Sequence, residues 1–230
     1  MQKVKILGVV GSPRKNGNTA KLVKRALEEA MSVPGVETEL YEMAGKKFHH
    51  CMGCLSCADT GECVFKDDLP DFITRYMQAD GIIWGSPIYH MSITGLMKNA
   101  IDRMGNSMFC NYATRGLDFP RFSKVCGTLT VGAHRYGGQD FVNTFMINSS
   151  LVMNGVVVSG DTVLGNYIGA AGNTGETTME HMRSKDAVLE DEENLKCAGN
   201  LGKRVAEMTR IVKAGLLAIK DELPTEYFTS

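Results

Sequence analysis

Four cysteines in one short stretch have the spacing of metal-binding thiolates. Cys51, Cys54, Cys57 and Cys63 follow the pattern Cys-x2-Cys-x2-Cys-x5-Cys. Iron-sulfur clusters are commonly held by cysteines with two residues between ligands. Structural zinc sites more often combine two Cys-x2-Cys pairs that lie a dozen or more residues apart. The overlapping pairs therefore favour a [4Fe-4S] cluster over zinc, and reactive thiols or a disulfide are a third interpretation.

A second segment, 11–19, has the composition of a phosphate-binding loop. Ser12, Asn18 and Thr19 offer hydroxyl and amide donors, and Arg14 can pair with an anion. Backbone amides at a helix N-terminus also bind phosphate. The segment lacks both the Gly-Lys-Ser/Thr ending of ATP-binding loops and the Gly-x-Gly-x-x-Gly pattern of dinucleotide-binding loops. We therefore expect a mononucleotide phosphate, with a capped turn that binds nothing as the alternative.

Two further loops, 86–91 and 132–140, carry residues suited to a flat ring. Pro87, Ile88 and Tyr89 offer a rigid apolar wall, whereas Trp84 is interpreted as a core aromatic. Glycines in the second loop permit close backbone approach. No catalytic side chain is assigned, because a lone His90 or His134 is more often a surface hydrogen-bonding residue. The predicted cofactor-binding residues are Ser12, Arg14, Asn18, Thr19, Pro87, Ile88, Tyr89, His90, Gly132, Ala133, Gly137 and Gly138.

The elements that position these loops alternate between strand and helix. Continuous apolar runs such as Val4–Val10 predict strands buried on both faces, which is typical of parallel sheets. Strands are predicted at 4–10, 36–43, 81–85, 125–131 and 156–158, and amphipathic helices lie between them, starting with Asn18–Met31. Five strands alternating with helices indicate a doubly wound α/β sheet. Ligands of such sheets bind beyond the carboxyl ends of the strands, where the three loops lie.

The cysteine stretch, 49–63, follows the second predicted strand. Segments 107–124 and 161–186 exceed what a minimal sheet needs, and loops of that length are usually functional. We expect oligomer contacts and a lid from these two insertions, with disorder as the alternative. Cys110, Cys126 and Cys197 are scattered singly and are predicted to be structural.

Composition and charge bear on the partners, the compartment and the number of domains to be expected. Lys and Arg number 25 against 26 for Asp and Glu, and no basic run is present, so a nucleic-acid partner is not expected. Neither a signal peptide nor an apolar stretch of membrane-spanning length is recognised, so we expect a cytoplasmic protein without a membrane partner. Seven cysteines in a reducing compartment indicate metal or redox chemistry rather than disulfides. The length fits a single α/β domain over residues 1–230.

The ordered set of motifs resembles the iron-sulfur flavoproteins of the NAD(P)H-dependent FMN reductase superfamily. The motifs are Gly11-Ser12-Pro13-Arg14, the cysteine motif followed by Asp67-Asp68, Gly81-Ile82-Ile83 through Ser86-Pro87-Ile88-Tyr89, Leu96-x-Lys98 with Asp102-Arg103, and Gly137-Gly138-Gln139. The resemblance implies a flavodoxin-like, five-stranded parallel sheet of order 2-1-3-4-5 with FMN at the three loops. It also implies a [4Fe-4S] cluster on Cys51, Cys54, Cys57 and Cys63, and homodimers or homotetramers with FMN near the subunit interface.

The resemblance leads to a functional hypothesis. An electron-transfer oxidoreductase would use FMN and a [4Fe-4S] cluster to pass electrons between a ferredoxin-like or NAD(P)H donor and a small acceptor such as a quinone, oxygen or peroxide. The alternative is an NAD(P)H-dependent flavin or quinone reductase whose cysteine loop holds zinc or nothing. A receiver-type signalling module is disfavoured, because the first strand ends in Gly8-Val9-Val10-Gly11 without the acidic cluster that a receiver needs.

Overall fold

The structure, a computed structural model, describes residues 3–160, 162–175 and 178–228. Its strands are β1 (Val4–Val10), β2 (Val36–Glu42), β3 (Gly81–Pro87), β4 (Val125–Gly132), β5 (Val156–Val157) and β6 (Ala170–Asn173). Its α-helices are α1 (Asn18–Met31), α2 (Ser56–Thr60), α3 (Leu69–Gln78), α4 (Gly95–Thr114), α5 (Gln139–Val152), α6 (Met179–Arg183) and α7 (Glu192–Ala218). Short 3₁₀ segments are Ala187–Glu190, Lys220–Glu222 and Thr225–Tyr227. Within the described ranges, no helix has both the length and the apolar character needed to span a membrane.

The strands form one parallel sheet in the order β2-β1-β3-β4, with β5 and β6 both on the far side of β4. The predicted flavodoxin-like order 2-1-3-4-5 is therefore confirmed. The fifth position is divided, however: β5 pairs with Val125 and Cys126, and β6 pairs with the stretch from Leu129 to Gly132. β6 lies inside the predicted insertion 161–186, of which residues 161, 176 and 177 are outside the described ranges.

Side chains of the strands alternate between two apolar layers. On β1, Leu7 and Val9 face the layer of α3, α4 and α5, whereas Ile6 and Val10 face the layer of α1 and α7. Both faces of the central strands are buried, as their continuous apolar sequences predict. Trp84 is 2% exposed and lies in the first layer, which confirms its interpretation as a core aromatic.

Helix α4 extends into the segment that the sequence assigned to an insertion. It begins after Thr94, whose Oγ1 accepts a hydrogen bond from the Met97 amide at 3.1 Å. The buried stripe continues through Met104 and Met108, so the first part of the predicted insertion 107–124 is helical and only 115–124 is a connection. This extension brings a further turn of helix to the cysteine stretch.

Candidate functional site

A cleft of about 250 Å³ lies at the carboxyl ends of β1, β3 and β4. We call it the strand-end cleft. The predicted residues that line it are Ser12, Arg14, Asn18, Thr19, Pro87, Ile88, Tyr89, Gly132 and Ala133. Val131, Thr174 and Met182 also line it and were missed by sequence reasoning. His90, Gly137 and Gly138 are not among the lining residues.

The first loop of the strand-end cleft is held by its own backbone. Ser12 is 4% exposed, and its Oγ accepts a hydrogen bond from the Arg14 amide at 3.1 Å. Thr94 Oγ1 donates to the Gly11 carbonyl at 2.5 Å, which ties the loop to the start of α4. Because Gly17 at the start of α1 has no side chain to cap the helix, the first-turn amides remain available to an anion.

Arg14 and Asn18 make contacts that the sequence did not predict. The Arg14 guanidinium donates to the main-chain carbonyls of Met182 at 3.0 Å, Arg183, and Ser184 at 3.1 Å. Asn18 donates to the Ser184 carbonyl at 3.0 Å and accepts from the Val188 amide at 3.1 Å. Both side chains therefore fasten the segment after α6 across the first loop. Arg14 was expected to pair with an anion, but its donors here meet backbone carbonyls at the end of α6.

The second loop forms a tight two-residue turn. Tyr89 and Ser92 exchange backbone hydrogen bonds of 2.9 and 3.0 Å, and His90 and Met91 between them have φ of 50° and 65°. Two successive positive φ values are those of a type I′ turn, which normally contains Asn and Gly. The exposed His90 lies at the tip of this turn, whereas Tyr89 lines the cleft with 47% of its surface exposed.

The third loop is organised by Gln139, which is 5% exposed. Its Oε1 accepts from the Gly137 amide at 2.8 Å, and its Nε2 donates to the His134 carbonyl. Gly138 has φ of 102°, and a Cβ there would approach Met91 Sδ to 2.8 Å. Gly137 and Gly138 thus shape the loop rather than line the cleft.

A second cavity, of about 210 Å³, lies between the cysteine stretch and α4. We call it the cysteine cavity. Its lining residues are Cys51, Met52, Gly53, Cys54, Leu55, Cys57, Cys63, Val64, Phe65, Arg103, Asn106, Ser107, Phe109 and Cys110. The four motif cysteines thus share one cavity. Cys110, predicted to be structural, lines the same cavity from α4.

The cysteine stretch wraps this cavity through unusual backbone conformations and hydrogen bonds. Gly53 has φ of 64° and Leu55 has φ of 60°, values that turn the chain between successive cysteines. Asn106 Nδ2 donates to Cys51 Sγ at 3.4 Å. Burial, together with neighbouring Cys110 and Cys63, raises the pKa of Cys57 to about 11.

Arg103 contributes a buried positive charge to the cysteine cavity. The residue is 2% exposed, and its Nη1 forms an ion pair with Asp67 and approaches the His49 carbonyl to 3.4 Å. Its Nε and Nη2 have no hydrogen-bond partner among the described residues. Buried donors are rarely left unpaired, so the cavity is suited to a group that is anionic and rich in acceptors.

The thiols of the motif cysteines line the cavity without converging on one position. Over the described ranges, no three His, Cys, Asp or Glu side chains converge closely enough to hold a single metal ion. The donor set itself, four thiols around one cavity with N–H donors beside them, is that of a group held by cysteine thiolates, such as an iron-sulfur cluster.

Comparison with known proteins adds evidence independent of this geometry. A family model described as NADPH-dependent FMN reductase matches residues 4–169. An iron-sulfur flavoprotein of Methanocaldococcus jannaschii is 33% identical over 210 residues, which cover 91% of this chain and 100% of that protein. An iron-sulfur flavoprotein of Archaeoglobus fulgidus is 31% identical over 206 residues, which cover 88% of this chain and 96% of that protein.

Solved structures show the same fold at lower sequence identity. A flavone reductase superposes with a TM-score of 0.63 and 20% identity, and the match covers 91% of this chain but 64% of that one. A WrbA-like flavodoxin from Agrobacterium tumefaciens superposes with a TM-score of 0.57 and 18% identity, and the match covers 90% of this chain and 98% of that one. At such identities the likeness concerns the flavodoxin-like fold alone.

Proposed function

This chain belongs to the NADPH-dependent FMN reductase family, and from that premise we propose that it is an electron-transfer oxidoreductase using a [4Fe-4S] cluster beside its FMN. It is a flavin-dependent oxidoreductase, and FMN is its cofactor. The electron donor is a ferredoxin-like protein or NAD(P)H, and the acceptor is a small molecule. The functional unit is a homodimer or homotetramer. One observation carries the proposal of a cluster: the four motif cysteines line one cavity together with the unpaired Arg103 donors.

In this proposal FMN binds in the strand-end cleft. The hydroxyls of the buried Ser12 and Thr19 donate to its phosphate, together with the free amides at the N-terminus of α1. The positive end of the helix dipole favours the same anion. Ile88, Tyr89 and Ala133 form the wall against which the flavin ring lies. Bound FMN supplies the capacity to accept and release one or two electrons.

Four thiolates, those of Cys51, Cys54, Cys57 and Cys63, hold the cluster in this proposal. A cluster bound there supplies single-electron transfer. Asn106 steadies Cys51 by donating to its sulfur, whereas Cys54 lies on the exposed side of the cavity. Solvent access and sulfur hydrogen bonding are the two means by which the chain sets the potential of such a site.

Helix α4 links the two sites. Thr94, just before its first residue, fastens the first loop of the strand-end cleft, and Arg103 lines the cysteine cavity. With a helical rise of 1.5 Å per residue, these two positions are about 14 Å apart along the axis. One rigid element thus supports both sites, an arrangement that favours electron exchange between them over a role for the cysteines as an isolated structural clamp.

Anaerobic purification followed by iron, sulfide and flavin analysis tests the proposal. We expect about four iron and four sulfide per FMN, because a cubane cluster contains that number. The visible spectrum should show a broad iron-sulfur absorption beneath the flavin bands. Flavin bands alone, with zinc or no metal in the protein, would contradict the cluster and favour the alternative function.

That alternative is an NAD(P)H-dependent flavin or quinone reductase whose cysteine loop holds zinc or nothing. One observation favours it: the strand-end cleft is built from loops that make no use of the motif cysteines. Stopped-flow reduction of the flavin by NADPH in metal-free protein distinguishes the two functions. Rapid reduction and turnover with a quinone would support the alternative, whereas reduction that requires iron would contradict it.

A further inference from the structure

Arg103 is held in a fixed orientation between the cysteine stretch and α4. Its Nη1 donates to Asp67 and its guanidinium carbon lies 5.3 Å from the centre of the Phe65 ring. Asp67 is fixed in turn, because it accepts backbone hydrogen bonds from His49 at 2.9 Å and Leu69 at 3.2 Å. The guanidinium therefore has little freedom to turn its other donors elsewhere.

Two of those other donors, Nε and Nη2, are buried and have no hydrogen-bond partner among the described residues. An unsatisfied buried donor destabilises the fold, and more so when it is charged. A guanidinium stays protonated in proteins, so this side chain keeps its charge. Its unpaired side lines the same cavity as the motif cysteines.

The Asp67–Arg103 pair presents its positive end to the cysteine cavity. Arg103 lines the cavity, whereas Asp67 is not among the lining residues and is directed toward backbone amides. A buried pair of this orientation stabilises negative charge on the cavity side, since electrostatic interactions are strong where water is excluded.

We propose that Arg103 is a positioning residue that donates hydrogen bonds to sulfur in the cysteine cavity and raises the reduction potential of the group bound there. The inference rests on the proposed cluster. One-electron reduction adds one negative charge to the bound group, and a fixed guanidinium beside it stabilises the reduced form more than the oxidised form. Removing the charge must therefore lower the potential, and removing its counter-charge must raise it.

A purely structural role for Arg103 predicts a different outcome. If the residue only fastened the His49 carbonyl to Asp67, loss of either partner would loosen the cysteine stretch in the same way. Arg103→Met and Asp67→Asn would then lose iron together and would not shift the potential in opposite directions. The sign of the two shifts is the measurement that separates the roles.

The experiment is an anaerobic redox titration of the FMN-loaded protein with dithionite, followed by electron paramagnetic resonance and visible absorbance. We expect a lower potential in Arg103→Met, a smaller decrease in Arg103→Lys, which keeps the charge but loses the planar donors, and an increase in Asp67→Asn. Arg121→Met is the matched control, because Arg121 is exposed and its guanidinium lies over the Tyr227 ring, away from both sites. The control should not shift the potential.

Flavin content shows whether each variant is folded. If Arg103→Met does not retain flavin or iron, the opposite shifts of Arg103→Lys and Asp67→Asn decide the matter. Unchanged potentials, or shifts of the same sign, in iron-loaded variants overturn the role of Arg103 and leave the proposed function intact. Absence of iron and sulfide from the anaerobic wild-type protein overturns the proposed function, and the role of Arg103 with it.

Discussion

The strand-end cleft and the cysteine cavity are built in different ways. The cleft lies where buried strands end, and its Ser12 and Thr19 are 4% and 2% exposed. The cavity is closed on one side by an irregular stretch in which Met52 and Leu55 are 58% and 63% exposed. The sheet fixes the positions of the first set of residues, whereas the second set is fixed mainly through hydrogen bonds to Asp67, Arg103 and Asn106. We infer that the cleft is formed before its ligand binds and that the cavity is completed by its ligand.

The largest effect that tests this difference is expected when one motif cysteine is replaced. Cys54→Ala should remove iron and sulfide while FMN remains bound, because the cleft does not use the cysteine stretch. Iron, sulfide and flavin analysis of the anaerobically purified variant measures this. Cys110→Ala is the matched control and should retain iron, since Cys110 is outside the motif. Iron that survives in Cys54→Ala, or disappears in Cys110→Ala, would contradict the ligand assignment.

The reverse experiment weakens FMN binding in the strand-end cleft and leaves the cysteine cavity unchanged. Ser12→Ala combined with Thr19→Val should weaken FMN binding by about two to four orders of magnitude, because each of the two hydrogen bonds to a charged group contributes about 1.5–3 kcal/mol. Titration of the flavin-free protein with FMN, followed by flavin fluorescence, measures the dissociation constant. The iron content should stay at the wild-type level.

Thr74→Val is the control for this pair, because its hydroxyl donates to the Pro70 carbonyl on α3 at 2.9 Å and is remote from the cleft. An unchanged FMN dissociation constant in the double variant would show that the two hydroxyls do not contact the phosphate.

A third region provides a reference for global stability. Lys124 is 6% exposed and directly precedes β4, at the amino-terminal ends of the strands and so opposite the loops of the cleft. Burial lowers its pKa to about 8. The folded protein therefore releases this proton before the unfolded chain, whose lysine pKa is about 10.4. Below pH 8 the buried lysine carries its charge in the folded protein, which lowers the free energy of unfolding. This free energy should rise by about 2 kcal/mol between pH 8 and pH 10.

Denaturant unfolding of the wild type and of Lys124→Met across that pH range measures this contribution, which the variant should lack. The ratio of iron to flavin at each pH should be the same in both proteins, since Lys124 donates to the Met77 and Ala79 carbonyls and lines neither the strand-end cleft nor the cysteine cavity. A variant whose stability keeps the wild-type pH slope would show that another group titrates.

The smallest effect concerns the turn beside the cleft. His90→Asn with Met91→Gly places the preferred residues of a type I′ turn where His90 and Met91 adopt positive φ, and should stabilise the protein by about 1 kcal/mol. Equilibrium unfolding in denaturant measures the change. A destabilised double variant would indicate that packing of Met91 against Gly138 outweighs the relief of backbone strain.

Patterns of local sequence were sufficient to predict the sheet and much of the cleft. The apolar runs identified the central strands, and the strand ends then brought the loops at Ser12, Ile88 and Gly132 together. β6 was not predicted, because its sequence, Ala-Ala-Gly-Asn, has little intrinsic strand preference and pairs with β4 only in the folded sheet. Thr174, which follows β6, was missed for that reason.

Only one side of the cysteine cavity was predicted from the sequence. The spacing from Cys51 to Cys63 predicted the thiols on one side, but the residues opposite them depend on the full length of α4. Arg103, Asn106 and Cys110 recur at intervals of three and four, which is the spacing of one helical face. The contacts of Arg14 with Met182 and Ser184 join positions far apart in the chain, and no local pattern encodes them.

The divided fifth position of the sheet has a consequence for how copies of the chain behave at high concentration. A long unpaired edge strand invites another chain to add to the sheet, which is a common route to aggregation. At this edge the outermost strands, Val156–Val157 and Ala170–Asn173, are short and are separated by the segment 158–169. At the opposite edge, β2 carries the acidic residues Glu37, Glu39 and Glu42. Neither edge therefore offers an incoming strand a long uncharged row of hydrogen-bonding groups.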